Sequence, residues 1–98
     1  MTAALPYPKG DLRRLLSVLG AIDRPQGARL FEIVQATGLD KRTVSLLIEQ
    51  AGAQAGVQIT RSDRSYRVSD WGPILRQTGV QLALTGEIVP RQLGEQTL

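Results

Sequence analysis

The sequence predicts an α+β fold in which helices come first and a β-hairpin follows, and three observations carry that expectation. Apolar residues recur at helical spacing through three successive segments between Leu12 and Ala51. Breaks rich in Gly or Pro, "DRPQG" and "TGL", divide those segments from one another. The period then shortens from 3.6 to 2, where Val57 and Ile59 alternate with Gln58 and Thr60.

Each element has its own local signals. Residues 1–10 hold Pro6, Pro8 and Gly10 and read as a flexible N-terminal arm. Asp11 suits the N-cap of a first helix, on which Leu12, Leu15, Leu16, Leu19 and Ile22 form one stripe and Arg13 and Arg14 lie off it. Pro25 and Gly27 end that helix. A second helix reads from Ala28 to Ala36, burying Leu30, Phe31, Ile33 and Val34 and leaving Arg29, Glu32 and Gln35 outside. Gly38, in Thr37-Gly38-Leu39, suits the left-handed conformation that stops a helix. Asp40 then caps a third helix, whose core stripe is Val44, Leu47, Ile48 and Ala51 and which ends in the small residues 51–56.

Residues 57–69 read as a hairpin, with Tyr66 and Val68 alternating with Arg67 and Ser69 around a polar "RSDRS". After Asp70, the residues Trp71, Ile74, Leu75 and Thr78 fall on one face of a short helix that Pro73 helps to start. "VQLAL", 80–84, fits a strand or a continuing helix equally well, and the two glycines and proline of 85–98 predict a flexible tail. The expected organisation is an arm (1–10), one domain (11–76) and a C-terminal extension (77–98).

Composition narrows the chemistry. The 98 residues include no Cys and no His, which removes disulfides, thiolate and imidazole chemistry and the usual zinc ligands. The nine carboxylates form no catalytic spacing, no Gly-rich phosphate loop is present, and Ser and Thr have no His partner. Neither an enzyme nor a cofactor is expected. Twelve Lys plus Arg against nine acids give a net charge of +3 and a pI near 10.0, which permits a polyanionic partner. The N-terminus lacks a basic start and a long apolar run, and no stretch approaches the roughly 20 apolar residues of a membrane span. A soluble, cytoplasmic protein with no membrane contact is expected.

Helix, helix, tight turn, helix and hairpin form the layout of a winged helix-turn-helix: a three-helix bundle plus a β-hairpin wing, here with a C-terminal helix and tail. Lys41, Arg42, Arg61, Arg64 and Arg67 place five of the twelve cations on the third helix and the hairpin. On a recognition helix the N-terminal side chains face base edges, which makes Lys41, Arg42, Thr43 and Ser45 candidates and Arg42 the choice for a guanine. Arg61, Arg64 and Arg67 suit phosphates or a minor groove, and Arg29 suits the DNA backbone beside the start of the second helix. The competing reading at each position is a solvated surface cation.

"EIVQATGLDKRTVSLLIEQ" followed by "YRVSDWGPIL" resembles the N-terminal DNA-binding domain of IclR-type transcription regulators, and more loosely MarR-type and phage regulators. The matching residues are Thr37, Gly38, Leu39, Lys41, Arg42, Thr43, Val44, Tyr66, Arg67 and Val68. The resemblance spans residues 11–76 and implies a winged helix that binds double-stranded DNA. IclR regulators continue into an effector-binding domain, whereas this sequence stops at 98, so no ligand sensor is expected. Val34 stands where helix-turn-helix motifs usually carry Ala, and Leu46 lies off the core stripe where a polar residue is expected.

Most regulators of this layout bind paired half-sites as dimers. Trp71, Ile74, Leu75, Leu82 and Leu84 offer a homodimer or protein-partner contact, and Leu82, Leu84 and Ile88 have no evident core to join. The sequence therefore reads as a small, phage-like, nucleoid-associated transcription regulator that acts by occupying its operator. The alternative is a winged helix that binds proteins and does not read DNA.

Overall fold

Two aspartates begin two of the helices. Asp11 Oδ1 accepts from the Arg13 backbone N–H at 2.9 Å, and Asp40 Oδ1 accepts from the Thr43 backbone N–H at 2.7 Å, so each carboxylate satisfies a first-turn donor. The computed structural model describes residues 5–86 and 89–91. Along them run α1 (Leu12–Ile22), β1 (Ala28–Arg29), α2 (Leu30–Thr37), α3 (Lys41–Ala55), β2 (Gln58–Ser62), β3 (Ser65–Asp70) and α4 (Gln77–Thr85). The architecture is α+β, four helices with a three-stranded antiparallel sheet in the order β1-β3-β2.

β1 corrects the expected start of the second helix. Ala28 pairs with Tyr66 and Arg29 with Ser65, so the first two residues of that segment are held extended and α2 begins only at Leu30. Gly27 makes this pairing possible. Its φ is +74°, and a Cβ there would stand 2.5 Å from the Tyr66 carbonyl oxygen, a contact that only glycine avoids. Glu32 then reaches back to accept from the Arg29 backbone N–H at 2.8 Å, half of a capping box.

The turn between α2 and α3 is built around Thr37, a buried polar residue (3% exposed). Its hydroxyl donates to the Ile33 carbonyl at 2.7 Å and accepts from the Leu39 N–H at 3.2 Å. Gly38 takes the left-handed conformation, φ +75°, and Leu39 drops into the core. The turn is therefore clasped from inside.

The core has two clusters. Val18, Ile22, Ile33, Leu39, Val44 and Leu47 fill the first, beneath Ile59, Tyr66 and Val68 of the sheet. Leu16, Leu19, Ala51, Ala55, Val57 and Val80 fill the second. Leu12 (69% exposed) and Phe31 (63% exposed) were expected on buried stripes and are not. Each lies in the first turn of its helix, beyond the region that neighbouring elements cover.

The region after β3 departs most from expectation. The Asp70 carboxylate accepts from the Gly72 N–H at 2.7 Å, residues 72–74 form a turn, and the helix starts at Gln77 rather than at Pro73. Gln77 Nε2 contacts both Asp23 carboxylate oxygens at 2.9 Å, fixing the start of α4 to the end of α1. "VQLAL" is thus helical. Val80 is buried, and Ala83 and Leu84 pack on the second cluster with Trp71 and Leu75, so Leu84 does have a core to join. Ile74 and Leu82 remain exposed, and Ile88 lies outside the described residues. Residues 5–10 are laid against α1, with the Arg13 guanidinium 4.6 Å over the Tyr7 ring and the Asp11 N–H donating to the Pro8 carbonyl at 3.0 Å.

Thr37→Val keeps the shape of the side chain and leaves the buried Leu39 N–H without its partner. In urea unfolding it is expected to cost about 1–3 kcal/mol, with Thr37→Ser retaining most of the stability; equal stabilities for Val and Thr would show that the clasp contributes nothing. Acid stability tests the cap of α3. The Asp40 carboxyl is held below the usual carboxylate range, first by the Thr43 backbone N–H and also by the nearby charges of Arg14 and Arg42. A lowered folded-state pKa adds stability that is fully present above about pH 4 and is lost as pH falls through the lowered value. Asp40→Asn keeps a capping oxygen but cannot titrate. It is expected to stay close to wild type at neutral pH and to lose less stability than wild type between about pH 5 and pH 2.

Candidate nucleic-acid interface

At 100° per residue, α3 turns Val44, Leu47 and Ala51 into the core and carries Arg42, Ser45, Leu46 and Glu49 on its outward side. Lys41 and Thr43 occupy the two flanks. Lys41, Arg42 and Ser45 are exposed, while Thr43 is half-buried beside the cap that its backbone N–H makes with Asp40. Arg14 of α1 lies close enough to Asp40 for its charge to act there, as Arg42 also does. The cationic group at the start of α3 therefore comprises Lys41, Arg42 and Arg14. Arg14 was absent from the sequence-based candidates, and its place off the apolar stripe of α1 was the available signal.

The hairpin arginines have three different fates. Arg67, exposed, donates one Nη to the Pro25 carbonyl, tying β3 to the loop after α1, so a tether role stands beside its expected phosphate contact. The Arg61 guanidinium lies 5.4 Å over the Tyr66 ring, its cross-strand neighbour. Arg64 stands at the tip, exposed, in a two-residue turn where Asp63 has φ +53° and Arg64 has φ +67°. Hairpins with two positive-φ central residues favour Asn-Gly or Asp-Gly. Here an arginine occupies the position best suited to glycine, at a conformational cost of about 1–2 kcal/mol.

Arg29 stands beside that tip, because its partner in the ladder is Ser65, which closes the hairpin opposite Ser62. Two cationic groups result, one of Arg29 and Arg64 with Arg61 nearby, and one of Lys41, Arg42 and Arg14. They flank the two ends of α2, an eight-residue helix about 12 Å long at 1.5 Å per residue. Among the described residues the one salt bridge is Arg13–Asp11 at 2.8 Å, so no cation of either group is held in a salt bridge, while the Asp40 carboxylate lies within range of the charges of Arg14 and Arg42.

The residues expected at a partner contact are divided. Trp71, Leu75 and Leu84 pack on the second core cluster, leaving Ile74 and Leu82 as the exposed pair. Among the described residues, no group of three or more His, Cys, Asp and Glu is placed to hold a metal ion, and no helix is long and apolar enough to cross a membrane. Comparison of the chain with protein-family models, with curated proteins and with solved structures finds no match.

Proposed function

We propose that this chain is a winged helix-turn-helix domain that binds double-stranded DNA in a sequence-dependent way and regulates transcription by occupying its operator, without catalysis or a cofactor. The observation that carries the reading is the first turn of α3. A turn clasped by Thr37 fixes the helix, and Lys41 and Arg42 project from its start with no salt bridge to an acid. In a recognition helix those positions meet base edges, and an Arg42–guanine pair is worth about 1–3 kcal/mol of discrimination.

The hairpin tip supports the same reading. Arg64 holds a backbone conformation that disfavours any residue with a Cβ, and strain of this kind clusters at working sites. As the wing, β2–β3 would present Arg64 and Arg29 to phosphates while α3 reads the groove, with the 12 Å of α2 between the two contacts. Such a regulator works in the cytoplasm, on the nucleoid, and a homodimer on paired half-sites would use Ile74 and Leu82. A second reading, a winged helix that binds a protein instead of DNA, has one observation in its favour: Leu46 and Glu49 share the outward side of α3 with Arg42.

Binding to random-sequence duplex DNA over a salt series separates the two. The wild-type chain is expected to bind at low salt with a steep salt slope, and Arg64→Ala is expected to make the slope shallower by about 0.9 for each phosphate lost. Arg42→Ala is expected to flatten sequence preference in a selection from a duplex library. No binding at low salt, or an Arg42→Ala plus Arg64→Ala variant indistinguishable from wild type, would overturn the DNA reading. Arg64→Gly sharpens the test, because it relieves the turn while deleting the cation. It is expected to raise stability by up to about 1 kcal/mol and still weaken DNA binding; unchanged affinity would remove Arg64 from the interface.

A further inference from the structure

We propose that the groove between α1 and α3 is a docking surface for an acidic amphipathic helix of a partner protein. The groove is an open concavity of about 560 Å³ bounded by residues 9–11, α1 and α3. Leu12 of α1 and Leu46 of α3 line it, at 69% and 50% exposure. Large apolar side chains scattered singly over a surface are ordinary. Here Leu15, half-buried, and Leu47, buried, make the apolar floor of one concavity, and Leu12 and Leu46 stand exposed on its two sides.

The charge at the rim selects the partner. Lys9 and Arg14 line the groove. Its one lining acid, Asp11, is already engaged, capping α1 and pairing with Arg13 at 2.8 Å. Gln50 and Gln54 add neutral amides at the α3 side. An apolar floor beneath a positive rim matches a helix that carries leucine-like anchors at i, i+3, i+4 and i+7 on one face and carboxylates beside them. A second copy of this chain is disfavoured, since a two-fold contact through this surface brings two rims of the same positive charge together. Duplex DNA matches the rim and offers Leu46 at most a thymine methyl, leaving Leu12 without an apolar partner.

The groove shares Arg14, Thr43 and Leu46 with the surface of the DNA reading but does not rest on that reading. Its α3 side is made by Thr43, Leu46, Leu47, Gln50 and Gln54, on the flank facing α1, whereas Arg42 and Glu49 point further outward. Leu46 sits at the boundary between the two surfaces. Its odd place in the sequence, off the core stripe yet apolar, then has a use.

The test is fluorescence anisotropy of the full chain with two synthetic helical peptides of about four turns, both with leucines at the i, i+3, i+4 and i+7 positions. One carries glutamate at its remaining positions and the other lysine. The acidic peptide is expected to bind about tenfold or more tightly than the basic one. Leu12→Ser and Leu46→Ser are each expected to weaken it about tenfold, and Lys9→Glu to weaken it as well. Circular dichroism melts are expected to be unchanged, because both leucines are at least half exposed. The proposal is overturned if the acidic peptide does not bind, if both peptides bind alike, or if the serine variants bind as wild type does. It is also overturned if duplex DNA, and not the acidic peptide, perturbs the Leu12 and Leu46 methyl resonances. A chain that binds the acidic peptide but no DNA would sink the operator reading and leave the groove standing.

Discussion

α1 is buried on two sides, and everything else in the molecule is hung on that fact. Val18 and Ile22 enter the cluster shared with α2, α3 and the sheet, while Leu16 and Leu19 enter the cluster shared with α3 and α4. Val18, Leu19 and Ile22 have no exposed surface. Truncating one such side chain to alanine typically removes 2–5 kcal/mol, a large part of the 5–15 kcal/mol that holds a small domain folded. Leu84 of α4 packs over Gly20 of α1, its Cδ1 standing 2.5 Å from where a Cβ would be. A helix with two buried faces has little surface left over, and that remainder carries Arg13, Arg14 and the exposed Leu12.

The position of the candidate interface follows from this arrangement. α3 rests on α1 through Val44 and Leu47 in one cluster and Ala51 and Ala55 in the other, so its axis is fixed along most of its length. Thr37 fixes where it begins and Asp40 fixes its first turn. The sheet is held to the same frame by the β1 ladder and by the Arg67 tether to Pro25. Lys41 and Arg42 are thus carried on a helix fixed by the core and its caps, and Arg64 on a turn held at the end of a paired ladder.

What was legible in the sequence was whatever depends on near neighbours. Asp11 and Asp40 as caps, Gly38 as a helix stop, and the alternation of Ile59, Tyr66 and Val68 with their polar neighbours are all decided within a few residues. What escaped was decided at a distance. Ala28 and Arg29 are a strand because Tyr66 and Ser65 pair with them, and nothing in "GARLFE" announces that partner. Periodicity marked the face on which Leu12 and Phe31 lie, but not whether anything would cover the ends of that face. Pro73 carried a start signal for a helix, and the Asp70–Gly72 turn with Trp71 and Leu75 on the core overrode it. Arg67 looked like its neighbours Arg61 and Arg64 until the Pro25 carbonyl distinguished it.

The outward side of α3 bears on what kind of DNA binder this chain would be. A helix that only neutralised phosphates would gain most by repeating cations along that side, since each added contact strengthens binding whatever the sequence. Arg42, Leu46 and Glu49 do the opposite, placing a cationic fork, an apolar group and an acceptor at i, i+4 and i+7. Glu49 would even oppose an approaching phosphate. Against base edges the same three differ usefully: a fork matches guanine O6 and N7, an apolar group matches a thymine methyl, and a carboxylate accepts from cytosine N4. In such a complex phosphate attraction would be left to Arg14, Arg29 and Arg64, which stand beside this row rather than in it. In a DNA complex, such a division between positioning cations and a chemically mixed face would suit selective recognition better than general affinity for polyanions.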